Sequence, residues 1–246
     1  MRPGSGRPRT RSPVDIETFA HIVAHDLKAP LNGIASMVDF VVEDYADRLD
    51  DEGRAQLRLI QSMATRGVAM VDGLRQLSRV SAAPLHPRPL DLAALAPRLL
   101  EQARAAAADA VVEPHITAGP VVLGDPALIP LVLSHLFANA VRFSTRSRRQ
   151  IWFGPADPGD VPVPAGHDVY AVRDDGIGID ARFHTAVFDM FKRLHGVDHF
   201  GGGVGAGLAV CHRIIERHGG RLWLTSTPGE GTTVCFSLPD AATRPA

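Results

Sequence analysis

An imidazole and a carboxylate stand side by side at His25 and Asp26, inside Ala24-His25-Asp26-Leu27-Lys28-Ala29-Pro30-Leu31. Neutral imidazole is nucleophilic near neutral pH, and an adjacent carboxylate can fix its tautomer and take the second ring proton as a group moves onto the ring. The pair therefore reads as a nucleophile, His25, with its base, Asp26. A lone helical histidine is otherwise a surface or core residue, but His25 falls off the Phe19, Val23, Leu27 stripe, which leaves its ring to solvent and to incoming partners. Downstream, Asn139 sits mid-helix in Leu131 to Ser144, a poor place for helix propensity but a good one for an oxygen ligand. A hard cation travelling with phosphates needs only one or two such protein ligands. Asp174-Asp175-Gly176-Ile177-Gly178 places a carboxylate at the end of the strand 169–173, followed by glycines that let backbone approach a ligand. Finally, Gly201-Gly202-Gly203-Val204-Gly205-Ala206-Gly207-Leu208 runs into a helix, an arrangement that offers free N–H groups and a positive dipole end to phosphate.

These residues need elements to hold them. Ile16, Phe19, Val23, Leu27, Ile34, Val38, Val41 and Tyr45 recur at threes and fours and predict an amphipathic helix, with a bend at Pro30. After the polar turn Asp47 to Gly53, a second helix carries Leu57, Ile60, Ala64, Val68, Val71 and Leu74. One hairpin cannot bury both apolar faces, so pairing of two copies into a four-helix bundle is expected. Ala83 to Pro89 breaks the periodicity and reads as a linker. Beyond it, helices are expected at 92–108, 126–144, 181–191 and 205–218, and strands at 111–117, 121–124, 150–154, 169–173, 222–226 and 232–238. Asp125 is placed to N-cap a helix with Pro126 in its first turn, and Thr227-Pro228-Gly229-Glu230-Gly231 to close a β-hairpin. The fold class is α+β multidomain, a helical hairpin followed by an α/β sandwich: 1–14 a disordered tail, 15–82 helical, 83–89 linker, 90–240 sandwich, 241–246 a tail.

With 246 residues and a formal net charge of −1, the chain offers no bulk electrostatic attraction for nucleic acid, so phosphate recognition must be local. Cys211 and Cys235 cannot build a disulfide framework, and no apolar run is long enough to span a bilayer. A cytoplasmic protein without a membrane span is expected.

In their order along the chain, the His25 octet, the Asn139 helix, the Asp174 turn and the glycine loop resemble the H, N, G1 and G2 boxes of two-component sensor histidine kinases. Val187 to Leu194 resembles the F box, and Gly229-Glu230-Gly231-Thr232 the last glycine box. The run Phe191 to His195 brings the resemblance nearest the phytochrome-like branch. The resemblance implies a homodimer that uses ATP and Mg²⁺, phosphorylates itself on His25 and passes the phosphoryl group to an Asp of a response-regulator receiver domain, with input from a separate sensor protein or a lost sensor domain. It implies that Asn139 ligates Mg²⁺, that Arg142, Lys192 or Arg193 and the amides of Gly203, Gly205, Gly207 and Leu208 serve the phosphates, that Asp174 receives adenine, and that Gly176, Gly178 and Thr232 belong to the nucleotide site. Asp175 and the arginines 146, 148 and 149 are expected to face solvent, and Lys28 to attract phosphate or to be a solvated helix charge. A non-catalytic nucleotide-binding scaffold that docks a regulator is the alternative, and a chaperone-type ATPase clamp is opposed by the helical hairpin.

Three positions depart from the pattern. His135 replaces the first Asn of the N box, where it either tunes water or metal near phosphate or merely packs. Ala206 replaces a larger aliphatic residue in the lid. Ala29 stands where Thr or Asn would hold a water for dephosphorylating the partner, which predicts a poor phosphatase.

Overall fold

The computed structural model describes residues 13–105, 111–192, 194 and 203–243, without the side chains of 13–23, 25 and 46. The chain divides into two compact units, Met1–Ala82 and Ala83–Ala246.

The first unit is a helical hairpin, α1 (Pro13–Tyr45) and α2 (Asp51–Ala82), joined by a 3-10 turn at Ala46–Arg48. Asp50 starts α2 by accepting the Gly53 N–H at 2.8 Å, so the connecting turn ends three residues earlier than Gly53. The two helices run antiparallel: Lys28 meets both carboxylate oxygens of Asp72 at 2.9 Å, Gln61 donates to Asp39, and Leu31 packs against Gly67, where a Cβ would leave only 2.9 Å. Ala24, Val38 and Ala64 are buried. Other apolar side chains of the hairpin are not: among those described, Leu27, Ile34, Phe40, Leu59 and Ile60 are exposed, and Met37 and Met63 are 63% and 65% exposed. Pro30 lies within a continuous α1.

The second unit is a two-layer sandwich. Strands β1 (Arg88–Leu90), β2 (Val111–Ile116), β3 (Val122–Gly124), β4 (Arg148–Pro155), β5 (His167–Asp174), β6 (Leu222–Thr227) and β7 (Gly231–Pro239) alternate with helices α3 (Leu92–Ala105), α4 (Ile129–Arg142) and α5 (Gly207–Arg217). The main sheet has the order β2-β4-β5-β7-β6, parallel between β2 and β4 and antiparallel elsewhere, and β1 pairs with β3 beside it. The helices cover one face. Phe137 of α4 meets Phe153 edge-on at 5.6 Å, Phe153 stacks on Tyr170 at 5.6 Å, and Tyr170 on Phe236 at 6.2 Å, a row of buried rings that crosses three central strands. The other face is polar: Arg173 lies over Trp152, which stacks on His115. Among the described residues no helix is long and apolar enough to cross a membrane.

Local expectation and structure part in four places. The expected linker is partly sheet, because Arg88 to Leu90 pairs with Val122 to Gly124 and the His86 N–H donates to Asp125. The expected helix 181–191 is instead two 3-10 turns, Ala181–Phe183 and Ala186–Phe188; Asp180 caps the first, and Phe191, at φ 64°, turns the chain out of any helix. Helix α4 starts at Ile129 rather than Pro126, since the Leu128 and Ile129 amides donate to the Asp125 carbonyl and hold 126–128 as a turn. The expected C-terminal tail opens with an attached turn at Ala241–Thr243, whose Ala241 N–H donates to Val121. The expected N-terminal tail lies outside the described residues except for Pro13 and Val14, which belong to α1, and residues 106–108 of the expected third helix also lie outside them.

Phe137 is fully buried at the head of the aromatic row. Phe137→Ala should destabilise this unit by about 3–5 kcal/mol. Both tryptophans, Trp152 and Trp223, lie in this unit, so a lower urea midpoint by tryptophan fluorescence of the intact chain checks it.

Candidate functional site

Alternation along β5 places the first carboxylate. Tyr170 and Val172 point into the core, Asp174 continues on their face, and Arg173 points away. The Asp174 carboxylate therefore emerges at the strand end on the helix side. One oxygen accepts the Gly176 N–H at 2.9 Å and the Thr232 N–H at 3.2 Å. Burial outweighs these donors and, with the charge of Asp175 nearby, pushes the carboxyl up to about 6.

The turn after Asp174 is clamped from two sides. The Ile177 N–H donates to the Phe143 carbonyl at 2.9 Å, so close that a Cβ on Gly176 would stand 2.2 Å from the same oxygen. On the other side, Gly178 at φ 69° lies against the hairpin, where a Cβ would fall 2.0 Å from the Thr227 carbonyl. Ser226 closes the clamp: its hydroxyl accepts the Ile179 N–H at 2.8 Å, donates to the Gly231 carbonyl at 2.7 Å and lies 2.9 Å from the Thr232 hydroxyl. Sequence reading passed over Ser226; the only signal was a run of hydroxyls, Thr225 to Thr227, just before the turn. Asp174, Ser226, Glu230 and Thr232 line a depression beside the hairpin.

Helix α4 supplies the second group. His135, Asn139 and Arg142 recur at i, i+4 and i+7 on one face. That face looks onto the described end of the glycine loop: a Cβ on Gly207 would lie 3.2 Å from His135 Nδ1, and one on Gly203 would strike the Arg142 guanidinium at 2.3 Å. Burial, helped by the Arg142 charge, pulls the His135 imidazole below its usual range, and its buried Nε2 has no hydrogen-bond partner among the described residues. Phe191 donates its N–H to the Gly205 carbonyl at 2.9 Å, which ties Lys192 to the far end of the loop; Gly205 at φ 75° permits this, since a Cβ would lie 2.4 Å from the Lys192 carbonyl. The Phe188 ring packs on His212 of α5. Ala206 has no side-chain oxygen to cap α5, so the first-turn amides of Gly207 and Leu208 are left for a ligand.

The structure thus gathers Asn139, Arg142, Lys192, Gly203, Gly205, Gly207 and Leu208 around one helix face, and Asp174, Gly176, Gly178 and Thr232 in a turn bonded to Phe143, the residue after Arg142. His25 and Asp26 belong to α1 of the other unit, Asp26 exposed and the His25 side chain outside the described residues, as is Arg193. Arg146 and Arg148 face solvent as expected, though each finds an ion pair, whereas Asp175 and Arg149 are drawn in from solvent. Asp175 accepts the Gln150 N–H and pairs with Arg146 at 3.4 Å, Arg148 pairs with Glu113 at 3.1 Å, and Arg149 donates to the Val141 and Arg146 carbonyls, closing the end of α4. Lys28 is engaged by Asp72. These partners come from distant elements that spacing along the chain does not disclose.

Residues 15–83 match the His Kinase A (phospho-acceptor) domain, and residues 124–242 match the histidine kinase-, DNA gyrase B- and HSP90-like ATPase family. The chain is 36% identical over 231 residues to Cyanobacterial phytochrome B of Nostoc sp., covering 94% of this chain and 30% of that protein. It is 31% identical over 231 residues to Phytochrome-like protein Cph1 of Synechocystis sp., with 93% and 30% covered. Among solved structures, full-length ShkA in complex with AMPPNP superposes with a TM-score of 0.62 at 22% identity, over 92% of this chain and 46% of that one. The Acinetobacter baumannii histidine kinase AdeS gives 0.56 at 22% identity, over 88% and 98%. The chain thus spans about a third of the length of its curated relatives.

An amino group donates more strongly to Asp174 as a carboxylate than as a neutral carboxyl. Adenine-nucleotide affinity should therefore be constant at pH well above 6 and fall as pH drops through about 6, where the carboxyl takes up a proton. Asp174→Asn should bind roughly ten- to hundredfold more weakly at neutral pH, the scale of a charge-assisted hydrogen bond, with this pH step removed; calorimetric titration across pH reads both.

Proposed function

The chain belongs to the two-component histidine kinase family, and on that premise we propose that it is an ATP-dependent protein-histidine kinase whose nucleophile is His25. The observation that carries this reading is that the Asp174 turn, at the C-terminal end of α4, and the uncapped start of α5, against the His135–Asn139 face, both lie along one helix. Asp174 receives the adenine amino group, and the amides of Gly207 and Leu208 with Arg142 and Lys192 hold the phosphates. Arg193 and Thr232 are proposed to complete the nucleotide site.

Mg²⁺ fits this site as a companion of the phosphates rather than as a caged ion. Among the described residues no three His, Cys, Asp or Glu side chains gather to hold a metal, and Asn139 offers the hard oxygen that such an ion takes alongside phosphate oxygens. When bound, the ion supplies neutralisation of phosphate charge. The remaining work falls to the chain. An imidazole nitrogen of His25 attacks the γ-phosphorus, an N–P bond forms, the bond to the bridging oxygen breaks and ADP leaves, while Asp26 accepts the ring proton. Such transfers depend mainly on positioning and charge. The phosphoryl group then passes to an aspartate of a response-regulator receiver domain.

We assign 15–82 as the dimerisation and phosphotransfer domain and 90–240 as the ATP-binding domain. The homodimer covers the stripe that the lone hairpin leaves bare, in which Met37 and Met63 stand out. A double charge substitution, Met37→Glu with Met63→Glu, should convert dimer to monomer in sedimentation velocity.

Incubation with γ-labelled ATP and Mg²⁺ tests the function. Label should be acid-labile and base-stable, His25→Gln should abolish it, and ATP affinity should not change. A His25→Gln variant that still labels contradicts the assignment, and an unlabelled unmodified protein that binds ATP favours the scaffold reading.

A further inference from the structure

We propose that His218 is a positioning residue for the phosphoryl transfer, a latch by which helix α5 holds the segment that leads from α2 into the ATP-binding unit. The proposal rests on the kinase reading but concerns a site that touches neither nucleotide nor reacting atoms. His218 follows α5 directly and is 8% exposed. Its Nδ1 lies 2.7 Å from the Ile214 carbonyl, which can only accept, and its Nε2 lies 3.0 Å from the Asp125 N–H, which can only donate. The two contacts together fix one tautomer of the neutral ring, with its proton on Nδ1. Burial holds the imidazole below its usual range, against the pull of the Ile214 carbonyl and of Asp125 towards protonation and with Arg217 opposing it, so the ring is in the form that these bonds require.

Asp125 carries the connection onward. It is 5% exposed, and its carboxylate accepts the His86 N–H at 2.8 Å and the Ala127 N–H at 2.8 Å, while its carbonyl accepts the amides that open α4. Arg217, next to His218, donates to the Ala83 carbonyl. Residue 83 is thus held directly by Arg217 of α5 and residue 86 by Asp125, which His218 holds in turn, and β1 follows immediately, paired with β3. The other end of α5 is the described end of the glycine loop, where Gly205 and Gly207 lie against Lys192 and His135. Between the ends, α5 is 11 residues long, about 16 Å, and buries Ala209, Val210, Cys211, Ile214 and Ile215, so it moves as a rod. A shift at the loop when nucleotide binds reaches residues 83–86 through this rod and the His218–Asp125 bond, and residue 83 is bonded to the last residue of α2.

A latch of this kind separates nucleotide binding from transfer. His218→Ala should leave ADP affinity within about twofold in the presence of Mg²⁺ and lower the rate of labelling at saturating ATP at least tenfold. His218→Gln, which keeps an acceptor for the Asp125 N–H, should recover part of that loss. Because His218→Ala opens a buried site and can destabilise the unit, the latch is also cut from its exposed end with His86→Pro, which removes the N–H that Asp125 holds and leaves α5 untouched. This variant should show the same split, and the double variant should be no slower than either single one, since both break one chain. Hydrogen exchange gives a readout free of activity: ADP should slow exchange of the 83–90 amides in the unmodified protein and leave it unchanged in both variants. Full labelling rates in both variants, or an ADP response at 83–90 that survives them, overturns the latch. Absence of labelling in the unmodified protein overturns the kinase reading instead, and the ADP effect on exchange then still decides whether the latch exists.

Discussion

The second unit depends on one half-buried carboxylate being carried to the right end of the central strand of its sheet. Asp174 reaches the helix side only because Tyr170 and Val172 commit that face of β5 to the core, and a shift of one residue in pairing would exchange it with Arg173. The aromatic row from Phe137 to Phe236 fixes that register: Tyr170 opposes Phe236 on β7, and the row links the strand to α4. Burial raises the carboxyl to about 6, so the carboxylate is charged at a cost that a hydrogen-bond donor offsets. The glycines around it follow from the same demand. Phe143 and Thr227 approach the turn so closely that no Cβ fits at 176 or 178.

Helix α4 joins the two halves of the site. Its C-terminal end receives the Asp174 turn through the Phe143 carbonyl, and its exposed face carries Asn139 and Arg142 under the loop. The Asp174 turn and the described end of the glycine loop thus share one support. Arg149, Arg146 and Asp175 brace the same helix end from β4 and the Asp174 turn.

Much of this was legible in the sequence because it is encoded locally. The helical hairpin follows from apolar residues at threes and fours, the β6–β7 hairpin from its Pro-Gly-Glu-Gly turn, and the loop from its glycines, whose positive φ at 205 and 231 no other residue type adopts freely. What escaped is nonlocal. Strand β1 has three residues, one a proline, and exists because β3 pairs with it. Asp175 looks like a solvated charge until β4 brings the Gln150 N–H and Arg146 to it. Ser226 and His218 show no spacing signal, since each acts on backbone from another element. The Ala181 to Phe191 pattern resembles a helix, but Asp180 and the left-handed Phe191 confine it to isolated turns.

The central claim is that this site serves phosphoryl transfer to one imidazole on α1. Peptide mapping by mass spectrometry under alkaline conditions, after incubation of the intact chain with ATP and Mg²⁺, tests it most directly. The account predicts a single phosphoryl group on the peptide that contains His25, lost on brief acid treatment. A phosphoryl group that survives acid, or one mapped to any other histidine, contradicts it.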